Sequence, residues 1–327
     1  MRDPADAPVF LAPMAGITAL PFRERALRFG ASSVVSEMVA SGDLLRNRPE
    51  AWAKAALGLG RARSVVQIAG REPGPMAEAA RFCAAEGAAV IDLNFGCPSK
   101  MVTNGLSGSA LMRDADHALR LVEGVAAAVS VPVTVKMRLG WDRGSLNAAD
   151  IARRAEAAGV ARVTVHGRTR SDFYRGRADW AAIGAVVRAV EIPVLANGDI
   201  ACPGSARQAM DASRAAGVMV GRGAYGRPWL PGQIAAFLAD RPVPAAPEGA
   251  ARGALVAEHY EAMLHHYGCD LGVRVARKHL SWYLDGVAAP AHLRRAILTS
   301  GEPGNVLREI ATIFAGSEPC ESFRVAA

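Results

Sequence analysis

The chain has 327 residues, 51% of them hydrophobic and 21% charged, with a formal net charge of +7. This is a globular composition, far from the disordered class, and its length suits one α/β barrel of roughly 250 residues plus a smaller unit. The five cysteines form no C-x-x-C pair, which argues against a zinc site or a disulfide framework. The start, MRDPADAPVFLAPMAG, lacks a basic-then-apolar leader, and no run of about 18 apolar residues occurs; neither secretion nor a membrane is expected, and the cytoplasm is the expected compartment.

Eight β-rich runs follow in chain order. They are VFLA near 9, SVVSE near 33, VVQI near 65, VIDLN near 90, VTVKM near 133, RVTVH near 162, VLANG near 194 and VMVG near 218. Most are continuous β-branched or aliphatic stretches of the kind buried on both faces, which implies parallel strands. Segments of helical composition separate them. One is DIARRAEAAGV from 150 to 160, with Asp150 as the expected cap at its start and Gly159 at its end. Eight β/α units close most simply into a (β/α)8 TIM barrel, with an open doubly wound sheet as the alternative. Around 240 the pattern breaks into DRPVPAAPEGAARG, a Pro- and Gly-bearing strap that divides a barrel domain, 1–244, from a second domain, 245–327. Beyond it, ALVAEHYEAMLHHYG and VRVARKHLSWYLDG keep helical spacing and no strand returns, so the second domain should be small and all-α.

In a barrel the βα loops converge on one mouth, so the residues that end the strands form a candidate site. They are Pro13 and Met14, Glu37, Gln67, Asn94, Lys136, His166, Asn197 with Asp199, and Gly221 with Arg222. A flavin accounts for this set. Gln67, Asn94 and Lys136 suit the pyrimidine edge of its ring, where a lysine also tunes the ring electrostatically, and His166 serves there or at the phosphate. The phosphate belongs at NGD, 197 to 199, and at GRGAYGRPW from 221, where glycines permit close approach and Arg222 adds charge. In IDLNFGCPSKMV, Cys97 falls three residues beyond Asn94, on a loop over that ring. A thiol on such a loop that stays protonated can give a proton to a substrate held against the ring. Cys83, in ARFCAAEG, reads instead as a small buried hydrophobe.

Positions 138 to 177 carry arginines at 138, 143, 153, 154, 162, 168, 170, 175 and 177. Coding bias is one account of them and a polyanion footprint beside the mouth is another. In the second account Lys100, Arg138, Arg168 and Arg170 stand on mouth loops and meet phosphates or a displaced base.

Taken together, APMAGITALPFR, SEMVASG, QIAG, DLNFGCPSKMV, VKMRLGW, VHGRTR, ADW, NGDI and GRGAYGRPW resemble the bacterial tRNA-dihydrouridine synthase family, particularly its B-type branch, along nearly the whole chain. The resemblance implies that Cys97 is the catalytic acid. It also implies that Pro13, Met14, Ala15, Gln67, Lys136, His166, Asn197, Gly198, Asp199, Gly221 and Arg222 bind FMN, with Asn94 beside them. It further implies a barrel followed by a helical domain, NADPH as the reductant, and a uridine of the tRNA D-loop as the target, which must leave its stack to be reduced. RVARKHLSWY resembles the family's tRNA-contacting helix, with Arg274, Arg277 and Lys278 toward the RNA; Trp282 and Tyr283 suit a core, and His265 and His266 read as ordinary helix residues. Two alternatives stand beside this reading: a flavin barrel that reduces a free small pyrimidine, and a non-catalytic RNA-binding regulator. No heptad repeat or surplus apolar face calls for an obligate protein partner.

Overall fold

The computed structural model describes residues 8–58 and 63–315. Cys320 and the first seven residues, on which the expectation of an absent leader rests, lie outside the described residues. The strands are β1 (Val9–Leu11), β2 (Ser33–Val35), β3 (Val39–Ala40), β4 (Ser64–Ala69), β5 (Val90–Phe95), β6 (Val133–Arg138), β7 (Arg162–His166), β8 (Val194–Asn197) and β9 (Gly217–Val220). All pair in parallel. The order runs from β1 through β9, β8, β7, β6, β5 and β4, and β2 pairs with both β4 and β1. The ring is therefore closed, and the eight sequence runs are the eight barrel strands of a (β/α)8 TIM barrel. The short β3, which the sequence reading did not separate, pairs with the end of β4. Ser36 interrupts the second strand: its hydroxyl donates to the Glu37 carbonyl and accepts from the Gln67 N–H, displacing a ladder bond.

Strand alternation sorts side chains between two environments. Along β6, Val133, Val135 and Met137 join the shell between strands and helices, while Thr134, Lys136 and Arg138 turn inward. A separate apolar cluster of Phe10, Ala12, Val35, Val65, Leu195 and Met219 fills the interior from β1, β2, β4, β8 and β9. The runs VTVKM and RVTVH are thus not apolar on both faces, as the sequence suggested. The helix after β6 spans Ala148–Ala157 with Asn147 at its N-cap; Asp150 lies inside its first turn and pairs with Arg153 rather than capping. Gly159 follows the helix at φ +92, where a left-handed residue ends a helix without side-chain strain.

The chain divides into two compact units, one running to Ala224 and resuming at Leu230–Val243, the other made of Tyr225–Trp229 and the residues from Pro244 onward. Chain order had put 225–229 with the barrel. They group with the helices because Tyr225 stacks on Trp282 at 4.0 Å and Arg252 lies over the Trp229 ring at 5.6 Å. The second unit holds helices Gly249–Tyr267, Cys269–Leu284, Ala291–Thr299 and Pro303–Ala315, packed around Leu255, Tyr260, Leu280, Tyr283, Ile310 and Phe314. Among the described residues, no helix is long and apolar enough to cross a membrane.

Candidate active site

Gln67, Asn94, Lys136, His166 and Asn197 end or nearly end β4 to β8, so the strand register gathers them at one mouth. Gln67 and Asn94 are buried and linked: the Asn94 amide donates to Gln67 Oε1 at 2.7 Å, and the Gln67 amide donates to Asp92 Oδ2 at 2.7 Å. Asn94 Oδ1 then accepts from the Cys97 N–H at 2.9 Å and from the Gly96 N–H at 3.2 Å. On the other side of the loop, the Cys97 carbonyl accepts from Ser109 through both its N–H and its hydroxyl, at 3.1 and 2.8 Å. Gly108 closes the loop at φ +62, where an added Cβ would lie 3.0 Å from the Cys97 carbonyl oxygen. The Cys97 backbone is thus fixed from both sides while its side chain stays partly accessible.

Lys136 makes no hydrogen bond or ion pair among the described residues. Its pKa is pushed down to about 8, first by burial and then by the neighbouring Arg138 charge. His166 is held well below the ordinary histidine value, by burial first and then by Lys136, Arg138, Arg168 and Arg222, so it is neutral at pH 7. Its Nε2 lies 3.2 Å from an Arg168 N–H; because arginine only donates, Nε2 accepts and Nδ1 carries the proton. A neutral imidazole and a strained ammonium side by side favour an anionic or acceptor-rich ligand.

Arg138 and Arg168 depart from the expectation of surface cations. They are 1% and 2% exposed, and loop carbonyls, with the Asp199 carboxylate in the case of Arg168, satisfy most of their donors. Arg138 donates to Gly96, Thr169 and Phe173, tying the loop after β5 to the loop after β7. Arg168 donates to the Arg175 and Gly176 carbonyls and grips Asp199 with both terminal nitrogens, at 2.9 and 2.7 Å. As placed, the two brace the mouth. Arg170 is half-buried, its guanidinium lying over Trp141 at 4.6 Å and over Phe173 at 5.1 Å. Lys100 is exposed at the start of the short helix Lys100–Thr103 beside Cys97.

After β8 and β9 the loops form a donor-rich rim. Asn197 is locked by its amide on the Met219 carbonyl, and Gly198 at φ +112 and Asp199 at φ +56 turn the chain back. Burial opposes ionisation of Asp199, but hydrogen bonds from Arg168 and the Ala178 N–H, with the Arg168 and Arg222 charges, hold its carboxyl below the usual value. The backbone N–H groups of Gly198, Asp199, Gly221 and Arg222 have no acceptor among the described residues, and the Arg222 side chain is half-exposed beside them. An added Cβ on Gly221 would meet nothing closer than 3.9 Å, so no protein neighbour claims that space. Unpaired N–H groups, a glycine and a guanidinium are what a phosphate requires. Pro13 and Met14 are partly buried and Ala15 exposed, just past β1 on the same mouth, and Met14 Sδ faces Gly221.

Three residues at this mouth escaped the sequence reading. Asp92 and Thr134 lie one inward position below Asn94 and Lys136, a signal available from period-two counting along β5 and β6. Tyr174 is exposed, with the Arg138 and Arg222 guanidinium groups 5.4 and 5.0 Å from its ring and its centroid 6.4 Å from that of His166. In the second unit, Arg274 is exposed and Lys278 half-buried one turn on along Cys269–Leu284, while Arg277 is half-buried beside Val273 and Leu284 and donates to the Thr299 carbonyl at 3.2 Å. Tyr283 is buried, whereas Trp282 is only partly so.

A family model described as dihydrouridine synthase (Dus) matches residues 10–315. A probable tRNA-dihydrouridine synthase of Rhodobacter capsulatus is 57% identical over 314 residues, covering 96% of each chain. One from Rhizobium leguminosarum is 51% identical over 300 residues, 91% of this chain and 92% of that protein. The tRNA-dihydrouridine synthase B of Pseudomonas putida is 44% identical over 277 residues, 84% and 82% of the two chains.

Proposed function

The chain belongs to the dihydrouridine synthase family, and from that premise we propose that it reduces the 5,6 double bond of a uridine in the D-loop of tRNA, using FMN re-reduced by NADPH. When bound, FMN supplies the hydride for C6 of the uracil. The residues of the mouth fit that cofactor: Lys136, which has no hydrogen-bond partner among the described residues, with Gln67 and Asn94 would hold the ring edge, and the N–H groups of Gly198, Asp199, Gly221 and Arg222 would hold the phosphate. Pro13, Met14, Ala15, His166 and Asn197, at the same mouth, would hold the cofactor with them.

The proton for C5 comes from Cys97. One observation carries this assignment: the Cys97 backbone is pinned by Asn94 and Ser109 at the rim, directly after the strand that ends in Asn94. The S–H bond breaks as a C–H bond forms at C5, and water returns the proton to the thiolate. Lys136 and Arg138 stand within electrostatic reach of that sulfur and stabilise the thiolate as it forms. Arg138 and Arg168 hold the loops around the base, and Lys100 and Arg170 meet flanking phosphates. On the helical unit, Arg274, Arg277 and Lys278 add backbone contacts that carry affinity rather than base identity.

The test is anaerobic reoxidation of the NADPH-reduced protein. Unmodified tRNA should restore the oxidised flavin spectrum many times faster than free uridine monophosphate does. Equal rates would favour a small-pyrimidine reductase, and a colourless protein that binds tRNA would favour a regulator.

A further inference from the structure

The Asp92 carboxylate takes no part in the proposed chemistry, yet it is 2% exposed inside the barrel, one inward position below the mouth. Both oxygens accept: Oδ1 from the Thr134 hydroxyl at 2.5 Å, Oδ2 from Gln67 Nε2 at 2.7 Å. Burial pushes this carboxyl up, against hydrogen bonds from Thr134 and Gln67 and the charges of Arg162 and Lys136. Arg162 lies beneath, over the Phe10 ring at 4.3 Å.

With the Thr134 hydroxyl donating to Oδ1, Asp92 presents Oδ2 as an acceptor, and the Gln67 amide meets it through Nε2. Gln67 Oε1 is then turned to Asn94 and takes its Nδ2 at 2.7 Å. Asn94 Oδ1 is left facing the loop, where it takes the Cys97 and Gly96 N–H groups. Each link dictates the next. Without a fixed acceptor at the base, an amide's nitrogen and oxygen can exchange places, and a reversed Asn94 would set N–H against N–H under the Cys97 loop.

We infer that Asp92 is the positioning residue of this site: through two side-chain amides it sets the orientation in which Asn94 holds the Cys97 loop and its thiol. Only the chemistry of that thiol rests on the proposed function.

The test measures the rate at which iodoacetamide alkylates Cys97 in the full chain, by peptide mass spectrometry, with exposed Cys269 as internal control. The turnover and KM for tRNA are measured alongside. Asp92→Asn places a donor and an acceptor where the relay needs two acceptors. Cys97 alkylation should accelerate about fivefold or more, and kcat should fall by a similar factor with KM for tRNA nearly unchanged. Cys269 should react as before. In an Asn94→Ala background, Asp92→Asn should add nothing, because its effect passes through Asn94. Thr134→Val should reproduce part of the effect and Thr134→Ser should not; this pair carries the test if Asp92→Asn fails to fold. Alkylation of Cys97 within about twofold of wild type in Asp92→Asn, or effects that simply multiply with Asn94→Ala, would overturn the inference. Coupled alkylation in a protein that never reduces tRNA would keep the relay and sink the proposed function; turnover with uncoupled alkylation would do the reverse.

Discussion

Strands β8, β9, β1, β2 and β4 turn Leu195, Met219, Phe10, Val35 and Val65 into the barrel, whereas β5 to β7 turn Asp92, Thr134, Lys136, Thr164 and His166 into the same space. The apolar half supplies the burial that closes the ring. The polar half places an ammonium and a carboxylate where burial disfavours both, and satisfies the carboxylate but not the ammonium. Gln67 of β4 and Asn197 of β8 join the polar set only at the mouth, so below the rim stability and chemistry are divided between two arcs of one barrel, and substitutions in the two arcs should have opposite signatures.

The largest expected effect belongs to the polar arc's mouth. Cys97→Ala should lower turnover on tRNA by about 10²–10⁴-fold, the range for a positioned general acid, while flavin content and tRNA affinity stay unchanged. Steady-state kinetics with binding titrations read both. In the apolar arc, Met219→Ala should destabilise by about 2–5 kcal/mol in urea unfolding and leave low-temperature turnover close to wild type.

Lys136→Met sharpens the contrast, because it should raise the thermal midpoint of the flavin-free chain at pH 7 while weakening FMN. The sign follows from the folded pKa of about 8, below the ordinary lysine value of 10.5. Between those values the unfolded chain binds more protons, so wild-type stability rises with pH across that window, and below it the full cost of the buried ammonium applies. The variant should flatten that rise. On the acid side His279, buried in the helical unit with its pKa pushed down to about 3, binds its proton only when unfolded. Stability should fall as pH drops below 6.5, and His279→Gln should reduce that slope, as urea titrations at pH 5 and 7 would measure. The smallest effect is expected for single alanine replacements of Arg274, Arg277 or Lys278. Each should weaken tRNA binding modestly and reduce the salt slope by about one unit, independent of sequence.

Much of this was legible in the sequence. The eight runs and the strand-end residues could be read because shell-facing Val, Ile and Leu mark the strands and a polar residue interrupts most of them at or near the end. The division of the interior was not, since Thr134 and Asp92 look like ordinary strand residues until alternation assigns them inward. Arg138 and Arg168 read as surface charges because arginine is rarely buried; only the loop carbonyls and Asp199, brought together by folding, show what holds them. The grouping of residues 225–229 with the helices depends on Trp282, far along the chain.

The central claim is tested most directly by incubating unmodified tRNA with the purified protein and NADPH, then mapping dihydrouridine by mass spectrometry. The account predicts a two-hydrogen mass gain at a D-loop uridine, absent when Cys97→Ala replaces the wild type. NADPH oxidation with every uridine of the tRNA unchanged would contradict it.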